Sequence, residues 1–494
     1  MLERKWENMA KHCLLMLTDS FPFDRGETYI EQEIEFVAAA FDQVVIIPMR
    51  SFQGAQRTRL VPPNVRLLPA PAPRGDWRWW TVKWGLRVLT GGCSPTVPRM
   101  VGHWPWRGKD ELHRFLIDLR FAATVYEKYE ATRQVISEVD FSQFDSVVIY
   151  SYWFYQGVGV ADLLRRRELG AVPVQVVARA HRYDVDEEAT PRKYLASRPY
   201  LLKAVDKVYP ISQFASQFLS AYCPDAPGRA DVDSTTQAPT PTTTNSTTRA
   251  YVGGSTKTSS SPYFHPPRQR KISADKIEVR RLGVLEVPTA PRRREDPLWV
   301  ASCSYMNDNK RVELIVEAIG LLQARGIPVK WTHFGESDPE RLASMQQLIE
   351  TSCRQPEACE LRGYVPNPEV RSFYGSNNVQ VFVNCSLSEG VPVSIMEALA
   401  CGIPCVATNA GGTSEIVHDQ VNGYVLPTNL SAVDLADALQ QVGSLSASEY
   451  AAMSQAARRT WAELICAPVQ YQSMARELSE RAKLAQPFRA DAAN

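Results

Sequence analysis

Short apolar runs that alternate with helical periodicity constrain this chain more than any other feature. His12 to Thr18 (HCLLMLT) is one such run, a loop of turn residues covers Asp19 to Thr28, helical periodicity runs from Tyr29 to Ala40, and Val44 to Pro48 is a second run. Strands buried on both faces read as continuous apolar segments, and a strand–helix–strand succession means a parallel sheet covered by helices. Ser146 to Tyr150, Val174 to Ala178 and Val205 to Pro210 continue the series. It resumes with strand Leu298 to Ser302, helix Val312 to Arg325, strand Val329 to Phe334, helix Pro339 to Cys353, strand Val379 to Asn384 and helix Val393 to Cys401. The expected fold class is α/β, with two Rossmann-like parallel-sheet domains facing across a cleft. Ligands of such sheets bind outside the carboxyl ends of the strands.

A chain of 494 residues exceeds what one ordinary core supports. The Pro- and Arg-rich connector TAPRRREDP at 289–297 is the best boundary, giving domains 1–288 and 289–465, with a helix and tail at 466–494. Residues 225–274 are rich in Thr, Ser and Pro without periodicity, and are expected to be an insertion without fixed structure. The sequon Asn245-Ser246-Thr247 inside it reads as an accidental match.

A net charge of +1 opposes a broad basic face for nucleic acid, so none is expected as a partner. No segment approaches the roughly 18 to 20 apolar residues that span a bilayer. Cys13 to Leu17 is shorter than a signal h-region of about 7 to 15 residues and reads as the first strand. Ten cysteines without a Cys-x-x-Cys pair indicate reduced thiols in a cytoplasmic protein and no structural zinc. Trp77, Trp79, Trp80 and Trp84 interleave with Arg78 and Lys83. Two readings stand for that segment: a helix pinned to its own domain by tryptophans, or a peripheral contact with lipid headgroups at the inner face of a membrane.

The chemistry concentrates between Val379 and Cys401. A buried strand runs into Ser386-Leu387-Ser388-Glu389-Gly390-Val391-Pro392, and an apolar helix follows from Val393 until Gly402 and Pro404 stop it. Pro392 suits the first helical turn, where a missing N–H costs nothing, and Gly390 lets the backbone turn tightly against a ligand. The free N–H groups of this helix start are suited to a diphosphate. Glu397 has apolar neighbours on both sides, so solvation alone is the weaker account of it. Glu389 and Glu397 are carboxylates placed to accept hydrogen bonds from paired sugar hydroxyls.

This stretch resembles the E-x7-E signature of the retaining GT-B glycosyltransferases of family 4. AlaCysGlyIlePro at 400–404, AsnAlaGlyGlyThrSerGluIleVal at 409–417 and Asn422-Gly423 match that family's continuation. The resemblance covers about residues 11–222 and 276–465 and is most specific over 376–427. It implies that Glu389 contacts donor-sugar hydroxyls, Glu397 the ribose, and the backbone of Gly390, Val391, Pro392 and Val393 the phosphates. Lys310 would pair with the diphosphate leaving group. Many members carry an Arg where this chain has Ser304, so Arg311 is the candidate second cation. His181, in ArgAlaHisArgTyrAsp at 179–184, would lie near the donor sugar, and Asp184 would orient the acceptor. Gly26 would lie near the donor phosphates, and Tyr364 beside the base. The implied reaction is front-face substitution with retention, without cofactor or metal, from a nucleotide sugar to a glycan or lipid-linked acceptor. Alternatives are a sugar-nucleotide 2-epimerase on the same fold, or a catalytically silent homologue that binds a nucleotide sugar or a partner transferase.

Overall fold

A computed structural model of the protein describes residues 10–23, 26–50, 57–70, 82, 100–101, 109–190, 192–222 and 273–487. Six strands form the first sheet: β1 (His12–Thr18), β2 (Gln43–Pro48), β3 (Val65–Leu67), β4 (Ser146–Ser151), β5 (Val174–Ala180) and β6 (Lys207–Pro210). Six more form the second: β7 (Leu298–Cys303), β8 (Val329–Phe334), β9 (Cys359–Leu361), β10 (Val381–Asn384), β11 (Cys405–Thr408) and β12 (Gly423–Leu426). Their orders are β3-β2-β1-β4-β5-β6 and β12-β11-β10-β7-β8-β9, with every neighbouring pair parallel. The α/β class with two Rossmann-like domains is the observed fold.

The apolar runs became buried strands because alternate residues serve different cores. In β1, Cys13, Leu15 and Leu17 pack on one side and Leu14 and Met16 on the other. In β10, Val381 and Val383 are divided from Phe382 in the same way. Winding reverses between β1 and β4 in the first sheet and between β7 and β10 in the second. Loops leaving those strand ends diverge, and a crevice opens at each reversal.

The chain crosses between the domains twice, side by side. Val284 N–H donates to the Ile465 carbonyl (2.8 Å), and the Val284 carbonyl accepts from Ala467 N–H (3.0 Å). A Cβ on Gly283 would lie 2.4 Å from Ala467 Cα, so this crossing requires glycine. The helix Ala467–Lys483 then returns to the first sheet and buries Met474, Ala475, Leu478 and Ala482 beside Leu14 and Val44. The helix expected within 466–494 is therefore a covering layer of the N-terminal domain. The stretch 225–274 lies outside the described residues except for Ser273 and Ala274, and Ala274–Lys276 is a short 3-10 turn. Trp77, Trp79, Trp80 and Trp84 also lie outside them. Among the described residues, no helix is long and apolar enough to cross a membrane.

Candidate active site

β10 ends at Asn384, whose side-chain carbonyl accepts from Ser386 N–H (3.0 Å) and turns the chain out of the sheet. The helix Val393–Ala400 follows with Pro392 as its N-cap, one place earlier than the first helical turn expected. The N–H groups of Gly390, Val391, Val393 and Ser394 have no protein acceptor among the described residues. They are orphan donors at the positive end of a helix dipole. Gly411 and Gly412 support this loop from beneath. A Cβ on Gly411 would stand 1.8 Å from the Glu389 carbonyl oxygen, and Gly412 N–H donates to the Gly390 carbonyl (2.8 Å).

Glu389 and Lys310 come together across the β7–β10 crevice. Glu389 Oε1 receives Lys310 Nζ (2.5 Å), Ser386 Oγ (2.6 Å) and Asn384 Nδ2 (3.3 Å), which leaves Oε2 for a ligand hydroxyl. An ammonium has three donors, so Lys310 can hold Glu389 and still meet a phosphate oxygen. Asn309, which the sequence reading missed, ties the two loops together. Its carbonyl accepts from Leu387 N–H (2.8 Å), and its side chain donates to the Ser388 carbonyl (3.1 Å) and accepts from Ser388 Oγ (2.7 Å).

Arg311 does not stand beside Lys310 as a second free cation. Its Nε donates to the Cys385 carbonyl (2.8 Å), bracing the loop, and one terminal nitrogen is buried without a partner. The backbone of Ser304 joins strand ends: its N–H donates to the Phe334 carbonyl (2.9 Å) and its carbonyl lies 3.1 Å from His333 Nε2. Glu397 is 2% exposed and accepts from the Asn367 amide, so it is not a solvated helix residue. Burial pushes its carboxyl up to about 7, against the opposing pull of Asn367 and Arg371. Tyr364 follows Gly363 (φ 62°) past the end of β9 and is half exposed.

On the opposite wall, His181 caps the short helix Arg182–Val185 at the end of β5. Its ring packs against Trp153 (4.4 Å between centroids), Tyr29 (5.4 Å) and Tyr152 (5.6 Å). Burial and then the Arg179 charge depress its pKa to about 3, so the imidazole is neutral at pH 7, and Nε2 is buried without a partner. The next residue, Arg182, brings its Cβ to 3.2 Å from where a Cβ on Gly390 would stand, so the two walls touch at this loop. Of the β1 loop, Asp24 and Arg25 lie outside the described residues, and Gly26 packs close to Ser20, a Cβ there lying 2.9 Å from Ser20 Oγ. Glu27, also missed from sequence, organises that loop. It accepts from the N–H groups of Asp19 (3.0 Å), Ser20 (2.7 Å) and Phe21 (2.7 Å), and from Trp153 Nε1 (2.7 Å).

Asp184 accepts from the backbone N–H groups of His181 (3.0 Å) and Phe154 (3.1 Å), so it shapes its own loop, and burial raises its pKa to about 6. It also lines two adjoining cavities of about 250 and 600 Å³ that share Tyr155 and Gln156. The smaller lies at the β1–β4 crevice. The larger runs outward past Phe121, Arg120, Tyr183 and Tyr194. Among the described residues, no group of three or more His, Cys, Asp or Glu is placed to hold a metal ion.

Two parallel-sheet domains, each with its crevice turned to the other, and an anion-ready helix start define the GT-B class. Residues 286–460 match the family of glycosyl transferases group 1. The Escherichia coli K12 protein WcaL, provisionally named a colanic acid biosynthesis glycosyltransferase, is 30% identical over 193 residues, 37% of this chain and 46% of the relative. The amylovoran biosynthesis glycosyltransferase AmsK of Erwinia amylovora is 27% identical over 163 residues, 31% of this chain and 39% of the relative. The chain thus spans less than half the length of these curated relatives. Sucrose-phosphate synthase from Thermosynechococcus elongatus superposes with a TM-score of 0.62 at 14% identity, covering 96% of this chain and 100% of that one. Anabaena Alr3699/HepE in complex with UDP and glucose gives 0.55 at 14% identity, covering 95% and 99%. At these identities the likeness establishes the fold.

Proposed function

We propose that the chain is a retaining glycosyltransferase. It moves a sugar from a nucleotide-sugar donor to a hydroxyl of a glycan or lipid-linked acceptor in cell-surface or exopolysaccharide biosynthesis. The observation that carries this reading is the set of orphan N–H groups at Gly390, Val391, Val393 and Ser394 beside the Lys310–Glu389 pair. Charge that develops on a departing diphosphate meets fixed donors there, without reorganisation. Glu389 Oε2 accepts from a donor-sugar hydroxyl, Glu397 from the ribose, and Tyr364 covers the base. In front-face substitution the bond from the anomeric carbon to the diphosphate breaks as the bond to the acceptor oxygen forms on the same face. The acceptor proton passes to the leaving diphosphate, so neither a protein nucleophile nor a metal is required. The cavities at Asp184 and Tyr155 are the acceptor groove in this reading. The relatives named for polysaccharide biosynthesis, and the similar fold that holds UDP and glucose, support the donor and pathway class.

The test incubates the chain with a panel of UDP-sugars, with and without lipid-linked saccharides, and measures released UDP. Acceptor-dependent release is expected, and Lys310→Ala or Glu389→Ala should lower kcat/KM by about 10²-fold with thermal unfolding unchanged. Acceptor-independent release would instead indicate the epimerase. Binding of UDP without turnover on any acceptor would indicate the silent homologue.

A further inference from the structure

We infer that the acceptor carries an oxyanion, and that Lys128 and Gln156 receive it in the smaller cavity, at the β1–β4 crevice. That the anion belongs to an acceptor rests on the transferase reading; that the cavity binds one does not. The helix Lys109–Ile136 packs Phe121, Val125 and Tyr129 into the core of the first domain. Arg120, Thr124 and Lys128 are spaced by four and so share another stripe of that helix. The stripe follows the two cavities, Arg120 and Thr124 lining the larger and Lys128 the smaller. A lysine on a surface helix normally holds its ammonium in water. Lys128 is half-buried, and among the described residues its ammonium makes no hydrogen bond or ion pair.

The other polar side chains of the smaller cavity are nearly all engaged. Asp19 pairs with Arg50 (2.6 Å), and Asp184 accepts from the N–H groups of His181 and Phe154. Thr18 donates to the Phe21 carbonyl (2.9 Å), Ser151 to the Trp153 carbonyl (2.7 Å), and Trp153 to Glu27 (2.7 Å). Lys128, the Gln156 amide and the Tyr155 hydroxyl are left to face the space. Gln156 also opens the helix Gln156–Arg167, and its N–H and that of Gly157 have no acceptor among the described residues. The positive end of that helix adds to the ammonium at the same cavity.

An ammonium drawn out of water and left unpaired is costly, so a ligand is the natural source of its partner. A neutral sugar offers only hydroxyls, which an amide and a phenol already read. An ammonium with three donors beside a helix start suits a carboxylate or a phosphate. The larger cavity sets Glu127 against Arg120 and Arg192, so its charge is mixed and the anion preference belongs to the smaller one. Asp184 lines that smaller cavity from the turn that His181 opens, on the wall opposite Gly390. The oxyanion therefore sits on the accepting sugar or directly beside it. It is the carboxylate of an acidic sugar or the phosphate that joins a first sugar to a lipid. Lys128 is a specificity-determining residue in this arrangement.

The experiment titrates the full chain with methyl glucuronide, methyl glucoside and farnesyl diphosphate, with UDP at saturation to fill the donor loop. One of the two anions should bind at least about tenfold more tightly than the neutral glucoside, the worth of a hydrogen bond to a charged group. Preference for the glucuronide assigns a sugar carboxylate, and preference for the diphosphate a lipid-linked phosphate. Lys128→Met should abolish the preference, with glucoside and UDP affinities within about twofold and circular dichroism unchanged. Gln156→Ala should weaken anion binding by about threefold, and serves as the second variant if Lys128→Met unfolds. Equal affinity for all three probes, or a preference that survives both substitutions, would overturn the inference. A loss of UDP affinity in Lys128→Met would also overturn it, by assigning the ammonium to the donor. These titrations need no turnover. Acceptor-independent release of UDP would defeat the transferase reading and leave the anion site standing. Transfer to neutral saccharides at a rate that Lys128→Met does not change would defeat the anion site and leave the transferase standing.

Discussion

Under the proposed function, Glu397 couples burial to ligand binding. Its carboxyl is raised to about 7 by burial, so the folded protein holds a proton that the unfolded chain releases near the ordinary glutamate value of about 4.3. The sign follows from linkage. This group's contribution to stability is full below about pH 4.3 and is lost as pH rises through about 7, because the charged form is the one that burial penalises. A ribose diol donating into the carboxylate favours that same charged form and offsets the penalty. UDP binding is therefore expected to release a proton at pH 6, and its affinity should rise toward pH 7 and then level off. Calorimetry in two buffers of different ionisation enthalpy counts the proton. Glu397→Gln should bind UDP about tenfold more weakly, roughly one hydrogen bond to a charged group, with no pH dependence over that range. An unaltered pH slope in Glu397→Gln would assign the titration to another group, such as Asp184.

At the scale of the element, the loop from Asn384 to Pro392 depends on glycines that lie elsewhere in sequence. Gly411 holds φ 57°, and any side chain there meets the Glu389 carbonyl oxygen at 1.8 Å. Gly411→Ala should cost about 2 kcal/mol or more in stability, from left-handed strain and displaced backbone, and should weaken UDP binding as well. Gly326→Ala is the control. Gly326 has φ 74° with nothing within 4 Å of its Cβ position, so melting should fall slightly and UDP affinity should not change. The strand–loop–helix frame of this element was legible because its apolar runs and its Gly and Pro stops are local signals. Glu389 and Glu397 were legible through a motif of fixed spacing, and Lys310 through the family resemblance. Their mutual contact was not, since Lys310 and Glu389 are 79 positions apart and meet only when β7 and β10 pair. Glu27 and Arg311 adopt left-handed backbone, φ 55° and 49°, without the glycine that would signal it. Asn309 and Lys128 look like any polar loop or helix residue until the fold surrounds them.

For the whole molecule, the two crossings at Gly283–Val284 and Ile465–Ala467 hold the domains together at one side, and Glu415 joins them across the cleft. Glu415 belongs to the second domain but caps a helix of the first. It accepts from the N–H groups of Gln213 (3.0 Å) and Phe214 (2.8 Å) at the start of Gln213–Ser220 and pairs with Arg281 (2.7 Å). Ser212 supplies the remaining cap from within the domain, accepting from Ala215 N–H (3.0 Å). A carboxylate on a helix start contributes about 0.5 to 2 kcal/mol, and a partly exposed ion pair at most about 1. A contact of that size would favour this arrangement of the two domains by roughly tenfold. Glu415→Ala should therefore enlarge the radius of gyration seen by small-angle scattering. In the proposed reading UDP would meet mainly the second domain, so its affinity should stay within about twofold. Transfer, which in the proposed reading needs His181 and Glu389 on the same sugar, should lose about three- to tenfold in kcat/KM, in proportion to the contact's bias toward this domain arrangement. An unchanged scattering profile with unchanged turnover would mean that the crossings alone set the distance between the domains.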